Sequence, residues 1–90
     1  MTIDIEHSPQ FDKHFKKRIS ENDKLTKQFV QRLNYFIDNP KRPLLKDHLL
    51  TRNKTGLRSF SINGDLRVIY KIINENKVLF YDIGSHNQVY

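Results

Sequence analysis

Leu57-Arg58-Ser59-Phe60-Ser61-Ile62, Asn63-Gly64-Asp65 and Leu66-Arg67-Val68-Ile69-Tyr70-Lys71-Ile72-Ile73 read together as a β-hairpin. The period across the first run is two, with Phe60 and Ile62 on one face and Arg58 in line with them. Ser59 and Ser61 share the other face. Such alternation marks a strand with one buried side. Asn-Gly-Asp is a hairpin signal, with Gly64 able to take positive φ. The second run is rich in β-branched residues and is interrupted only by Arg67 and Lys71. Asn74 to Lys77 reads as a second turn and Val78 to Ile83 as a third strand. Gly84-Ser85 then carries the chain to His86, expected on a tight turn at a sheet edge.

Upstream, the pattern changes to the helical period. Thr2 to His7 alternates as a short strand, and Ser8-Pro9 reads as an N-cap followed by proline at the first helical position. Phe11, Phe15 and Ile19 form a stripe, with Lys13, Lys16, Lys17 and Arg18 off it. Ser20 to Lys24 breaks that helix. A second helix has Leu25, Phe29, Leu33 and Phe36/Ile37 on its core side and stops at Asn39-Pro40. Pro40 to Gly56 is expected to be a largely irregular basic connector with room for a short helical or extended piece. The order is β-α-α-β-β-β. The class is α+β, an antiparallel sheet with the two N-terminal helices packed on one face.

With 90 residues, the chain reads as one domain, residues 1–90. A domain of this size buries roughly 60–65% of the surface its unfolded chain exposes. Its core is therefore thin, and a site on it is shallow, which suits a polymer better than an enclosed metabolite. The net charge of +6 and the pI near 9.7 favour a polyanionic partner. Between Lys41 and Arg58 the bases Lys41, Arg42, Lys46, Arg52, Lys54 and Arg58 face one acid, Asp47. That clustering is what a phosphate-facing surface requires.

Cysteine is absent, which excludes disulfides, thiol catalysis and cysteine-ligated zinc. There is no HExxH, no short helical spacing of histidines and no glycine-rich phosphate loop, so neither a metal nor a small-molecule cofactor is expected. MTIDIEHSPQ has no apolar core of a secretion signal, and no apolar run approaches membrane-spanning length. A cytoplasmic location is expected, with no membrane partner.

The polar residues then decide the chemistry. RNA carries its own nucleophile, the 2′-hydroxyl. Cleavage needs a base for its proton, an acid for the leaving 5′-oxygen and positive charge on the crowded phosphate. Histidine titrates near working pH, and arginine binds two phosphate oxygens without deprotonating. His48 and His86 are the candidate proton carriers and Asp65 a candidate orienter of an imidazole. Arg67, inside an otherwise apolar strand, is the candidate phosphate ligand, with Arg58 beside it. Lys46, Arg52 and Lys54 are candidate RNA contacts. Tyr90 either stacks on a base or anchors the chain end. His7 and His14 read as structural or solvated.

Lys46-Asp47-His48, Arg58, Asp65-Leu66-Arg67-Val68-Ile69-Tyr70, and Gly84-Ser85-His86 with an aromatic four residues later together resemble YafQ-type toxins of the RelE/ParE superfamily. The likeness covers essentially the whole chain. It implies an mRNA interferase that cuts mRNA on the translating 70S ribosome and is held inactive by a cognate, acidic antitoxin. His48, Asp65 and His86 match catalytic residues of the YafQ pattern and Tyr90 its terminal aromatic. Arg67 matches the active-site arginine of RelE-like members, and Arg58 falls where some relatives have lysine or arginine. The chain departs from the pattern at Ser59, Ser61 and Leu66, which stand where YafQ has an acid, a histidine and an aromatic. The alternatives are a ParE-like, non-enzymatic gyrase inhibitor and a degenerate toxin that mainly binds its antitoxin.

Overall fold

A computed structural model describes residues 3–50 and 56–90. Strand β1 (Asp4–His7) leads into helix α1 (Pro9–Arg18), whose N-cap Ser8 accepts a hydrogen bond from the Phe11 N–H at 3.0 Å. Asn22 caps helix α2 (Asp23–Asp38) in the same way through Leu25. Each cap satisfies a backbone donor that the first helical turn leaves without a partner. Asn39 ends α2, one residue before proline.

The connector holds both kinds of short element. A 3-10 turn covers Pro43–Leu45 and seats Leu45 at 0% exposure in the core, and the two-residue strand β2 (His48–Leu49) follows. Strands β3 (Arg58–Ser61), β4 (Leu66–Asn74) and β5 (Lys77–Ser85) continue the sheet, and the one-turn helix α3 (His86–Val89) follows it.

The sheet order is β1-β5-β4-β3-β2. The sequence order implied an antiparallel sheet. The structure agrees for β2 to β5, but β1 runs parallel to β5, so the sheet is mixed. Two helices lie between β1 and the later strands, which gives the chain the length a parallel return needs. The hairpin turn does not draw on the freedom of its glycine. Gly64 has no positive φ; the Asn63 side chain closes the turn by accepting from the N–H groups of Asp65 (2.9 Å) and Leu66 (2.8 Å).

Phe36 of α2 stacks on Phe60 at 4.5 Å and meets Tyr70 and Phe80 edge-on at 4.9 and 5.8 Å. Phe11, Phe29, Ile62, Val68 and Ile83 complete this core on the helix-bearing face. The opposite face carries a much smaller cluster, Leu50, Ile69 and Val89, with Leu57 against it. The polar residues of interest gather around that smaller cluster. Among the described residues no helix is long and apolar enough to cross a membrane.

Candidate functional site

Register brings the residues together. His48 of β2 lies opposite Ser59, and Ser61 opposite Arg67, which is itself opposite Gly84. Cross-strand partners point to the same face, so His48, Ser59, Ser61 and Arg67 share the face opposite the long helices. Val89 packs there against Ile69 and holds α3, with His86 at its start and Tyr90 just beyond its end, over the same strands.

Ser59 and Ser61 are 0% and 4% exposed. A buried hydroxyl must find a partner, and each finds a site residue. The Tyr90 hydroxyl donates to Ser59 Oγ at 2.7 Å, and Arg67 Nη1 donates to Ser61 Oγ at 3.1 Å. The Tyr90 ring meets the His86 imidazole edge-on with centroids 4.5 Å apart. The Arg67 guanidinium carbon lies 5.8 Å from the Tyr90 centroid, within cation–π range. Of the two roles read from the sequence, the Tyr90 hydroxyl shows the anchoring of the chain end, and the residue is 40% exposed. The sequence marks the two serines only as sharing a strand face and as departures from the family pattern, not as supports of the site. Their signal was their alternation with Phe60 and Ile62.

A guanidinium has five N–H donors. Ser61 takes one Nη1 donor of Arg67, and no other hydrogen bond engages the Nη groups of this half-buried side chain among the described residues; its Nε is buried without a partner. Arg67 thus keeps hydrogen-bonding capacity for an anion.

The turn before His86 is fixed on all sides. Ser85 and Gln88 form a reciprocal capping box: Ser85 N–H donates to Gln88 Oε1 at 2.7 Å, and Gln88 N–H to Ser85 Oγ at 3.3 Å. Arg18 Nη1 donates to the Ile83 carbonyl at 2.8 Å. A Cβ at position 84 would lie 2.6 Å from Arg18 Nη1 and 2.8 Å from Gln88 Oε1, so a side chain there would displace both ends and the hydrogen bonds they make. The Asp65 carbonyl accepts the His86 N–H at 3.1 Å. Asp65 was expected to orient an imidazole with its carboxylate. The bond between the two residues instead runs through the backbone, and the carboxylate makes no hydrogen bond among the described residues.

His48 is exposed on the edge strand. Its Nδ1 lies 2.9 Å from the Lys46 carbonyl. A carbonyl only accepts, so Nδ1 is the donor, and the neutral ring in this tautomer presents its lone pair at Nε2. His48 lies three strand spacings from the strand that leads to His86, about 14 Å across the sheet, and level with Asp82, four residues before His86; Tyr90 bridges between them, touching the His86 ring and Ser59, the register partner of His48.

Arg58, expected to face phosphate, is engaged elsewhere. Its Nε and Nη2 lie 2.8 and 2.7 Å from Asp47 Oδ1, while the Tyr70 hydroxyl donates to Oδ2. The Asp47 hydrogen bond raises the Arg58 pKa above its ordinary value, against desolvation. Burial raises the Tyr70 pKa, with the Asp47 hydrogen bond adding to it. Lys46 is exposed, in a left-handed conformation with φ 51°. Arg52 and Lys54 lie outside the described residues. His14 Nδ1 meets Asp82 at 2.5 Å and ties α1 to β5. Among the described residues no three His, Asp or Glu side chains cluster as a metal site would.

The fold with this face defines a class. A YoeB/ParE toxin from Agrobacterium tumefaciens superposes with a TM-score of 0.78, covering 93% of this chain and 99% of its own at 12% identity. The fold is thus that of RelE/ParE-type toxins. The sequence profile described as "Bacterial toxin of type II toxin-antitoxin system, YafQ" matches residues 3–90, and the chain belongs to that family. A histidine-to-glutamine mutant of YafQ from E. coli is similar at 25% identity and a TM-score of 0.80, over 98% of both chains. The toxin in the E. coli DinJ–YafQ toxin–antitoxin complex is similar at 25% identity and 0.75, over 100% of this chain and 99% of that one. No curated protein sequence matches the chain.

Proposed function

We propose that this toxin is an endoribonuclease that cuts mRNA on the 70S ribosome. The observation that carries the reading is the set Arg67, Tyr90 and His86, seated side by side on one sheet face by two buried serines. A guanidinium with free donors, an exposed aromatic and an imidazole are what a strand of RNA presents work for: a phosphate, a base and a leaving oxygen.

In this reading His48 takes the 2′-hydroxyl proton through Nε2, and the oxygen attacks the adjacent phosphorus. Arg67 stabilises the charge that builds on the non-bridging oxygens. His86, as imidazolium, gives its proton to the departing 5′-oxygen. The products are a 2′,3′-cyclic phosphate and a 5′-hydroxyl. Lys46, with Arg52 and Lys54, contributes phosphate contacts along the message. Asp65 holds the His86 turn through its carbonyl. Chelators leave the activity intact, because each proton step uses a side chain.

The partner that silences it is an antitoxin. The DinJ–YafQ complex supports this, and the net charge of +6 favours an acidic one. The place of action is the cytoplasm, with the ribosomes.

The test is to add the purified chain to programmed ribosomes and map mRNA 5′ ends, with and without EDTA. Codon-phased cuts that persist in EDTA and disappear in His86→Gln are expected. Growth arrest that survives His86→Gln, with supercoiling activity inhibited, identifies a gyrase poison instead.

A further inference from the structure

We propose that Asp47 is a positioning residue for His48, acting from the opposite face of the sheet through Tyr70 and Arg58. This rests on the reading of His48 as a proton carrier.

Strand β2 is two residues long and both His48 and Leu49 are exposed. Among the described residues an edge strand this short has little to hold it on its own: a register pair on each residue, one bond beyond, Leu50 N–H to the Leu57 carbonyl at 2.8 Å, and the packing of Leu50 on Ile69 and Val89. Two residues before it, Lys46 takes a left-handed conformation that side-chain-bearing residues disfavour. Left to itself, the segment would fray, and an imidazole on it would sample many orientations.

Asp47 prevents this. Its side chain is 6% exposed and accepts from three donors: Tyr70 Oη on one oxygen, Arg58 Nε and Nη2 on the other. A buried carboxylate survives only when paired and hydrogen-bonded. Both anchors are rigid. Tyr70 is 2% exposed and wedged against Phe36 and Phe60, and Arg58 lies on the neighbouring strand. Successive residues of an extended segment point to opposite faces. Pinning Asp47 toward the helices therefore aims His48 at the serine face.

The same pin fixes the tautomer. The Lys46 carbonyl that accepts from His48 Nδ1 belongs to the peptide unit immediately before Asp47. With that peptide held, Nδ1 stays protonated and Nε2 stays a lone pair. Second-layer carboxylates and carbonyls set imidazole orientation in this way at metal sites; here the control passes through the backbone.

The experiment uses the full chain and four variants: Asp47→Asn, Tyr70→Phe, His48→Gln, and Asp47→Asn combined with His48→Gln. The first readout is the nitrogen shift pair of the His48 ring, by NMR. The wild type is expected to show one tautomer, protonated at Nδ1, and both Asp47→Asn and Tyr70→Phe a mixture. The second is mRNA cleavage on programmed ribosomes. Asp47→Asn is expected to lower kcat about 10- to 100-fold, as a displaced catalytic group does, with KM changed less than about twofold. The double variant is expected to be no slower than His48→Gln alone, since a residue acting through His48 has nothing left to act on. Equal further losses in both backgrounds would mean that Asp47 only supports the fold. An unchanged His48 tautomer in Tyr70→Phe, which keeps the packed ring and removes one hydroxyl, would also overturn the proposal. A wild-type chain that cuts no RNA would end the nuclease reading, while the ring shifts still decide the positioning.

Discussion

The two histidines of the candidate site are held by opposite means. His86 sits on a turn fixed from its own side, by the Ser85–Gln88 capping box, the Asp65 carbonyl and the edge-on ring of Tyr90. His48 sits on a two-residue edge strand fixed from behind, by a buried carboxylate on the other face. One region is cross-linked among its own side chains; the other borrows its rigidity from the core through Tyr70. Both imidazoles stay exposed. A small domain thus orders a group without burying it, by locking the residues next to it.

The difference predicts unequal consequences. His86→Gln should fall furthest, about 10²- to 10⁴-fold in single-turnover cleavage, with antitoxin affinity unchanged by titration calorimetry. Arg67→Ala follows, at about 10²- to 10³-fold, the loss typical of one donor to a transition-state oxyanion. Arg67→Lys should recover little, because an ammonium cannot serve Ser61 and a phosphate with the same fork. His48→Gln should cost about 100-fold in the same assay. If His48→Gln proved as damaging as His86→Gln, the two regions would be functionally equal despite their different construction.

A milder substitution separates anchoring from stacking within the first region. Tyr90→Phe keeps the ring beside His86 but leaves the buried Ser59 hydroxyl without its donor, and should cost about 1 kcal/mol in urea unfolding. Tyr90→Ala removes the stacking surface as well, and should weaken RNA binding by a further 1–3 kcal/mol or so. Equal binding by the two variants would mean that Tyr90 is only an anchor.

The sequence made the two regions unequally legible. Phe60 and Ile62 alternate cleanly, so the hairpin, and with it Arg67, could be placed from period alone. The capped helices were equally plain, because Ser8-Pro9 and Asn39-Pro40 are local signals. The parallel seat of β1 was not, since register between distant strands is set by packing and leaves no mark in either segment. β2 was hidden for a related reason: two residues carry no period. Arg58 was misassigned to phosphate because its partner, Asp47, lies eleven positions away across a strand pair. Charge counting registers a lone acid among bases as a minor term. The structure makes that acid the buried partner of Arg58 and Tyr70.

The last expected effect, on stability alone, bears on that acid. In the fold, burial first and the Asp47 carboxylate second keep the Tyr70 hydroxyl protonated, raising its pKa above the ordinary value of 10.0. The unfolded chain's tyrosines ionise near that ordinary value. Between the two, the unfolded state binds fewer protons at this site than the native state, so stability falls as pH rises. The Tyr70 contribution is fully present below about pH 9 and declines from about pH 10 upward. At pH 7 Tyr70→Phe should cost about 2 kcal/mol, the range for a hydrogen bond to a charged group. The gap between wild type and Tyr70→Phe should then narrow in urea unfolding from pH 9 to 11, because phenylalanine has no proton to lose. A gap that held constant to pH 11 would mean that the hydroxyl titrates alike in both states. The Asp47 cluster would then lack the strength to hold the edge region against the rest of the sheet.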